Sequence, residues 1–103
     1  MICVIYSSFP TKDSALRIGK LMLEEGLIAC VNVFKMDTQY IWKGKFHEED
    51  EYGAYFKTSI YKKNQVIKYI NSHHPYEIPL ITNEEVVVNN AYKAWMDSFL
   101  TNP

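Results

Sequence analysis

Apolar residues run almost unbroken from Ile2 to Tyr6, and Ser7-Ser8-Phe9-Pro10 ends the run. A short β-branched stretch of this kind predicts a strand covered on both faces. From Thr11 the interval lengthens: Ala15, Ile18 and Met22, with Leu16 and Leu23 beside them, recur at helical spacing, and Gly26 follows as a stop. A helix over residues 12–25 is predicted. Gly19 in its middle costs about 1 kcal/mol relative to alanine. Its presence there predicts tight packing against the sheet.

Ile28 to Phe34 predicts a second buried strand, extended through Tyr40-Ile41-Trp42, and the chain turns at Lys43-Gly44-Lys45. Residues 46–58 run back, interrupted by the acidic group Glu48-Glu49-Asp50-Glu51 and by Gly53, which predicts a bulge. Each arm of this hairpin, residues 28–58, has more than a dozen residues, roughly 40 Å if extended. A domain of this size has a radius of gyration of only about 13 Å. The arms must bend or protrude, and packing against copies of the same chain is the expected way to cover them.

Helical spacing returns over residues 61–72, where Val66, Ile67, Tyr69 and Ile70 form the apolar stripe. His73-His74-Pro75 stops it, because a residue before proline is pushed out of the helical region. Leu80-Ile81-Thr82 with Glu84-Glu85-Val86-Val87-Val88 predicts a last strand, and Tyr92, Trp95, Met96 and Phe99 a final amphipathic helix. The order is that of an α+β, ferredoxin-like βαββαβ sandwich with a long central hairpin and an extra C-terminal helix, in one domain spanning 1–103. Two helices on one sheet face leave the other, rich in tyrosine and tryptophan, to be covered by neighbouring subunits.

Composition narrows the function. At 103 residues, 48% apolar and 22% charged, the chain has enough apolar residues for one packed core. A net charge of -1 with a single arginine, Arg17, gives no footprint for a nucleic acid backbone. No run approaches the roughly 20 apolar residues of a membrane span, and the first strand lacks a basic leader and cleavage site. Cys3 and Cys30 lie in apolar runs without CxxC spacing, which suits buried thiols in a reducing compartment. A soluble cytoplasmic protein is expected, with neither nucleic acid nor membrane as partner.

Several residues carry candidate chemistry. His73 and His74 offer imidazoles suited to copper or zinc; the alternative is a solvated helix end and a ring hydrogen-bonded to backbone. Pro75 and Pro79 fix the loop carrying Tyr76 and Glu77. Tyr40 and Trp42 share one face of their strand, and Glu51, Tyr55 and Lys57 share one face of the returning arm. An aromatic wall with one carboxylate and one ammonium could hold a small polar or anionic ligand. The same residues suit a subunit interface. The acidic group could take a hard cation or form a solvated bend.

Four segments together resemble the CutA family, the divalent cation tolerance proteins: Leu27-Ile28-Ala29-Cys30-Val31-Asn32, Tyr40-Ile41-Trp42-Lys43-Gly44-Lys45, Glu51 through Lys57-Thr58, and His73-His74-Pro75-Tyr76-Glu77-Ile78-Pro79. The resemblance extends from Pro10-Thr11-Lys12-Asp13 to Tyr92-Lys93-Ala94-Trp95. It implies a non-enzymatic homotrimer with intersubunit strand pairing, divalent cation binding with copper as the example, a role in metal tolerance or response, and no required cofactor beyond such an ion. By analogy with P-II signalling trimers it also implies ligand clefts between subunits. The chain departs from the family pattern at Ser7, where some members place a cysteine thought to bind copper with the histidines before Pro-Tyr. Cys3, four residues earlier, is read as facing the other way. Leu80 and Gly53 also depart, replacing a glutamate and an apolar strand residue. Two rival classes are an acylphosphatase-type hydrolase, for which residues 7–13 lack a phosphate-holding arginine, and an RNA-binding sheet, for which the charge is wrong.

Overall fold

Thr11 opens the first helix: its hydroxyl accepts a hydrogen bond from the Ser14 amide at 3.1 Å, satisfying a donor that the helix itself leaves free. The computed structural model describes residues 1–100. Its elements are β1 (Ile2–Phe9), α1 (Lys12–Glu24), β2 (Cys30–Trp42), β3 (Lys45–Thr58), a 3-10 turn (Ile60–Lys62) leading into α2 (Lys63–His73), β4 (Ile81–Val86) and α3 (Asn90–Phe99). The strands form one antiparallel sheet in the order β2-β3-β1-β4. This is the expected ferredoxin-like arrangement with its C-terminal helix.

Side chains alternate along each strand, and the register sorts them into two faces. Cys3, Ile5 and Phe9 of β1 and Ala54 and Phe56 of β3 join Ala15, Ile18, Met22, Val66 and Ile70 of α1 and α2 in the main core, each at most 1% exposed. The opposite face carries Ile2, Val4 and Tyr6 of β1, Phe34 of β2 and Tyr55 of β3. α3 covers one end of it: Met96 packs with Ile2 and Ala29, joined by Val4, Val86 and Tyr92. Part of the cover expected from other subunits therefore comes from the chain's own last helix.

Three local expectations change. β1 runs on to Phe9 instead of stopping at Tyr6, because the Ser7 hydroxyl finds partners inside the fold and Phe9 is wholly buried. Gly53 is not a bulge: the β2-β3 register is continuous from Cys30↔Lys57 to Trp42↔Lys45. A Cβ on Gly53 would fall 2.5 Å from Phe34 Cζ and 3.1 Å from Tyr6 Cε1, so the missing side chain seats two rings. Cys3 faces the same way as Ser7, since residues four apart on a strand share a face, and both are fully buried. About 13 Å of strand still separates them.

The hairpin turns on Lys43 and Gly44, at φ of 49° and 78°, as a two-residue turn with both centres left-handed requires. β1 pairs with β3 only from Tyr52 to Thr58, so beyond Glu51 the two arms pair with each other alone. The molecule measures 46 × 24 × 20 Å, and the expected protrusion is real.

Gly19 behaves as predicted. A Cβ there would lie 2.8 Å from Val31 Cγ1 and 3.3 Å from its Cβ, so rotating Val31 would not relieve the contact. Gly19→Ala gains about 1 kcal/mol of helix propensity and loses about 1–3 kcal/mol to overpacking. A net destabilisation near 1 kcal/mol is expected in urea unfolding, with part of it recovered in a Gly19→Ala/Val31→Ala double mutant. A stabilised Gly19→Ala would show that helix and sheet can separate at no cost.

Candidate functional site

Pro75 forces His74 out of the helix, to φ -72° and ψ 136°, and this turns its ring inward. The imidazole stacks on Phe9 at 4.4 Å and against Tyr76 at 5.3 Å between centroids. Its Nδ1 accepts the Tyr76 backbone N–H at 3.0 Å. The ring proton of neutral His74 therefore sits on Nε2, which donates to Ser7 Oγ at 3.0 Å, and Ser7 donates in turn to the Leu80 carbonyl at 2.7 Å. This chain ties the ends of the loop to β1. It also leaves Ser7 without a base, since the His74 nitrogen facing it carries a proton.

Burial pushes the His74 pKa below its ordinary value, partly offset by a hydrogen bond with the Ser8 backbone and by the negative charge of Glu51. Unfolded chains then bind the proton more readily than folded ones. Stability is expected to be complete above about pH 6.5 and to fall as pH drops from there through the folded value. The slope stays below the limiting ~1.4 kcal/mol per pH unit, because the ring is only half-buried. Thermal unfolding between pH 5 and 8 should show this dependence in the parent and a flatter one in His74→Gln. Identical slopes would mean that His74 does not titrate in this way.

The loop next places Tyr76 over the hairpin. Its hydroxyl donates to Glu51 Oε2. Burial, the Glu51 acceptor and the charges of Glu51 and Glu49 hold its pKa well above the ordinary range, so Tyr76 remains a donor. Glu51 is the first β3 residue past the end of β1, only 8% exposed, on the same face as Tyr40 and Trp42. Together with Glu77, Ser8 and Thr38 they surround a cavity of about 550 Å³.

Tyr40, Trp42, Glu51, Tyr76 and Glu77 thus line one cavity within the chain. Lys57 does not join them within one chain. It shares their face but lies six residues down β3 from Glu51, about 20 Å away, with its ammonium 6.0 Å from the Tyr92 ring centre. The cavity lining consequently contains carboxylates and no basic side chain. Ser8 and Thr38 join the lining without a signal in the sequence, Ser8 standing in the stretch that the apolar pattern predicts to end β1.

The acidic group is no bend. Glu48 and Asp50 point to one face and Glu49 and Glu51 to the other, and each has its own partner: Gln39, Lys35, Tyr40 and Tyr76 respectively. His73 and His74 have separate surroundings. His73 is exposed, stacks on Tyr69 at 4.1 Å and donates from Nδ1 to the Tyr69 carbonyl. Both His74 nitrogens are engaged, and Ser7 offers a neutral hydroxyl where a thiolate would favour Cu(I). Among the described residues no cluster of three or more His, Cys, Asp or Glu side chains is arranged to hold a metal. The histidine pair is a poor donor set for copper.

Comparison with known proteins shows the family and its fold. Residues 3–98 match the family described as CutA1 divalent ion tolerance protein. The divalent-cation tolerance protein CutA of Thermotoga maritima is 38% identical over 94 residues, covering 90% of this chain and 93% of that protein. The crystal structure of CutA1 from Pyrococcus horikoshii superposes with a TM-score of 0.93 at 34% identity, over 99% of this chain and all of that one. The structure described as the periplasmic divalent cation tolerance protein CutA from Archaeoglobus fulgidus gives 0.89 at 30% identity, over 96% and 98%. The chain belongs to the CutA1 divalent ion tolerance family.

Proposed function

We propose that the chain is a non-enzymatic, cytoplasmic homotrimer whose cleft around Glu51, completed between subunits, binds a cation: a divalent metal ion or a small cationic ligand. The lining of the Glu51 cavity carries this reading. A nearly buried carboxylate, a second carboxylate at Glu77 and aromatic faces from Tyr40, Trp42 and Tyr76 favour positive charge. No basic side chain lines the cavity, and the one nearby cation, the Lys43 ammonium 5.6 Å from the Trp42 ring centre, comes from the exposed turn. The aromatic face left open beside α3 supports assembly, and the inert Ser7–His74 pair supports the absence of hydrolytic chemistry. The two free thiols favour a reducing compartment.

Calorimetric titration with copper, zinc and a simple alkylammonium salt tests the cleft. Binding by the parent should weaken about tenfold or more in Glu51→Gln, which keeps the acceptor for Tyr76 and removes the charge. Equal affinities in the two proteins would sink the reading.

A further inference from the structure

Strand alternation puts Tyr40 and Trp42 on the face of the hairpin that carries Glu51, and the loop after α2 brings Tyr76 to the same cavity. Both tyrosine rings are fixed before any ligand arrives. Tyr40 donates its hydroxyl to Glu49 and stacks on His47 at 5.0 Å, while Tyr76 donates to Glu51 and stacks against His74 at 5.3 Å. Donation to a carboxylate polarises a phenol and makes its ring face more attractive to a cation. Trp42 already holds one: the Lys43 ammonium lies 5.6 Å from its ring centre. Lys43 is exposed on the turn, so it can return to water when another cation takes the ring.

The kind of cation follows from the rest of the lining. Glu51 has its Oε2 held by the neutral Tyr76 hydroxyl, and it takes no part in the ion pairs among the described residues, Lys35–Asp50, Lys63–Glu85 and Lys93–Asp97. Glu77 supplies the second carboxylate, and Pro75, Ile78 and Leu80 add apolar wall. Calcium and magnesium ask for about six oxygen ligands or more, and copper and zinc favour nitrogen or sulfur. The lining holds neither histidine nor cysteine. A volume of about 550 Å³ is room for a small molecule and far more than a bare ion fills. An ammonium group carrying alkyl substituents suits all three parts of the wall: its charge meets the carboxylates and ring faces, and its carbon atoms meet the apolar side chains.

We infer that the Glu51 cleft takes the alkylated ammonium group of a small organic molecule, with Tyr40, Trp42 and Tyr76 as its cage and Glu51 as its counter-charge. The assignment rests on the cation reading of the same cleft and names the ligand class. Tetramethylammonium is the probe, titrated calorimetrically into the whole chain beside zinc chloride and beside tert-butanol, a neutral molecule of similar size. The parent should bind tetramethylammonium at least about tenfold more tightly than tert-butanol. Trp42→Leu should lose about tenfold in tetramethylammonium affinity, and Trp42→Phe, which keeps a ring, should lose less. Trp42 lies on the protruding arms, beyond the part of β3 that pairs with β1, so both variants are expected to fold as the parent does, which circular dichroism checks. Equal binding of tert-butanol, or an unchanged affinity in Trp42→Leu, overturns the cage. Zinc binding that disappears in Glu51→Gln, without any binding of tetramethylammonium, overturns the ligand class and leaves the cation reading standing. Binding of neither cation sinks both.

Discussion

Phe9→Ala is expected to cost about 3–5 kcal/mol of unfolding free energy, the largest loss anticipated for any single truncation in this chain. The ring is completely buried, packs edge-on against Phe56 at 6.2 Å and lies flat on His74 at 4.4 Å. Alanine there leaves a gap at the junction of core and loop, and the pairing of Phe9 with Tyr52 of β3 holds the backbone against collapse into it. Through that contact the loss reaches the cleft, since Phe9 supports His74, the Nδ1 of His74 holds the Tyr76 amide, and the Tyr76 hydroxyl holds Glu51. Weaker cation binding at Glu51 should accompany the lost stability. Phe9→Leu, which keeps most of the volume, should cost far less. Urea unfolding at one fixed protein concentration makes the comparison, because association adds to apparent stability. A loss below about 1 kcal/mol for the alanine variant would mean that the core closes over the gap and that the ring is no keystone.

The order of elements, the position of the hairpin turn and the faces of Tyr40, Trp42 and Glu51 are legible because they follow from local pattern. What escaped depends on contacts between distant segments. Ser7 reads as the end of a strand until His74 and Leu80, more than sixty positions away, give its hydroxyl partners. Gly53 reads as a bulge until Phe34 and Tyr6 are seen to need the space. Alternation assigned Lys57 to the correct face, but it gives no distance along a strand; that distance separates Lys57 from the cleft and changes the charge of ligand the cleft favours. The spacing 62, 66, 70 puts a lysine on the buried stripe of α2, against the ordinary reading of lysine as a mark of the solvent side.

Tyr55→Glu is expected to convert the proposed trimer to monomers. Tyr55 packs against Tyr6 at 5.3 Å and Phe34 at 5.4 Å, forming an aromatic surface on the sheet face opposite α1 and α2. α3 covers only the far end of that face, and Tyr55 and Phe34 remain 43% and 37% exposed. Covering the surface with a second subunit removes three rings from water together. Placing a carboxylate at its centre would bury a charge among the rings, with Lys57, its neighbour on the same face of β3, turned toward Tyr92. The penalty of several kcal/mol is incurred once per subunit and so three times in a trimer. Within the monomer the same change is mild, because position 55 lies outside the main core. Sedimentation should therefore find the parent as a trimer and Tyr55→Glu as a folded species of 12.1 kDa, while Tyr55→Phe, which keeps the ring, stays assembled. If Tyr55→Glu sediments with the parent, association does not use this face, and the cleft around Glu51 must be completed by some other surface.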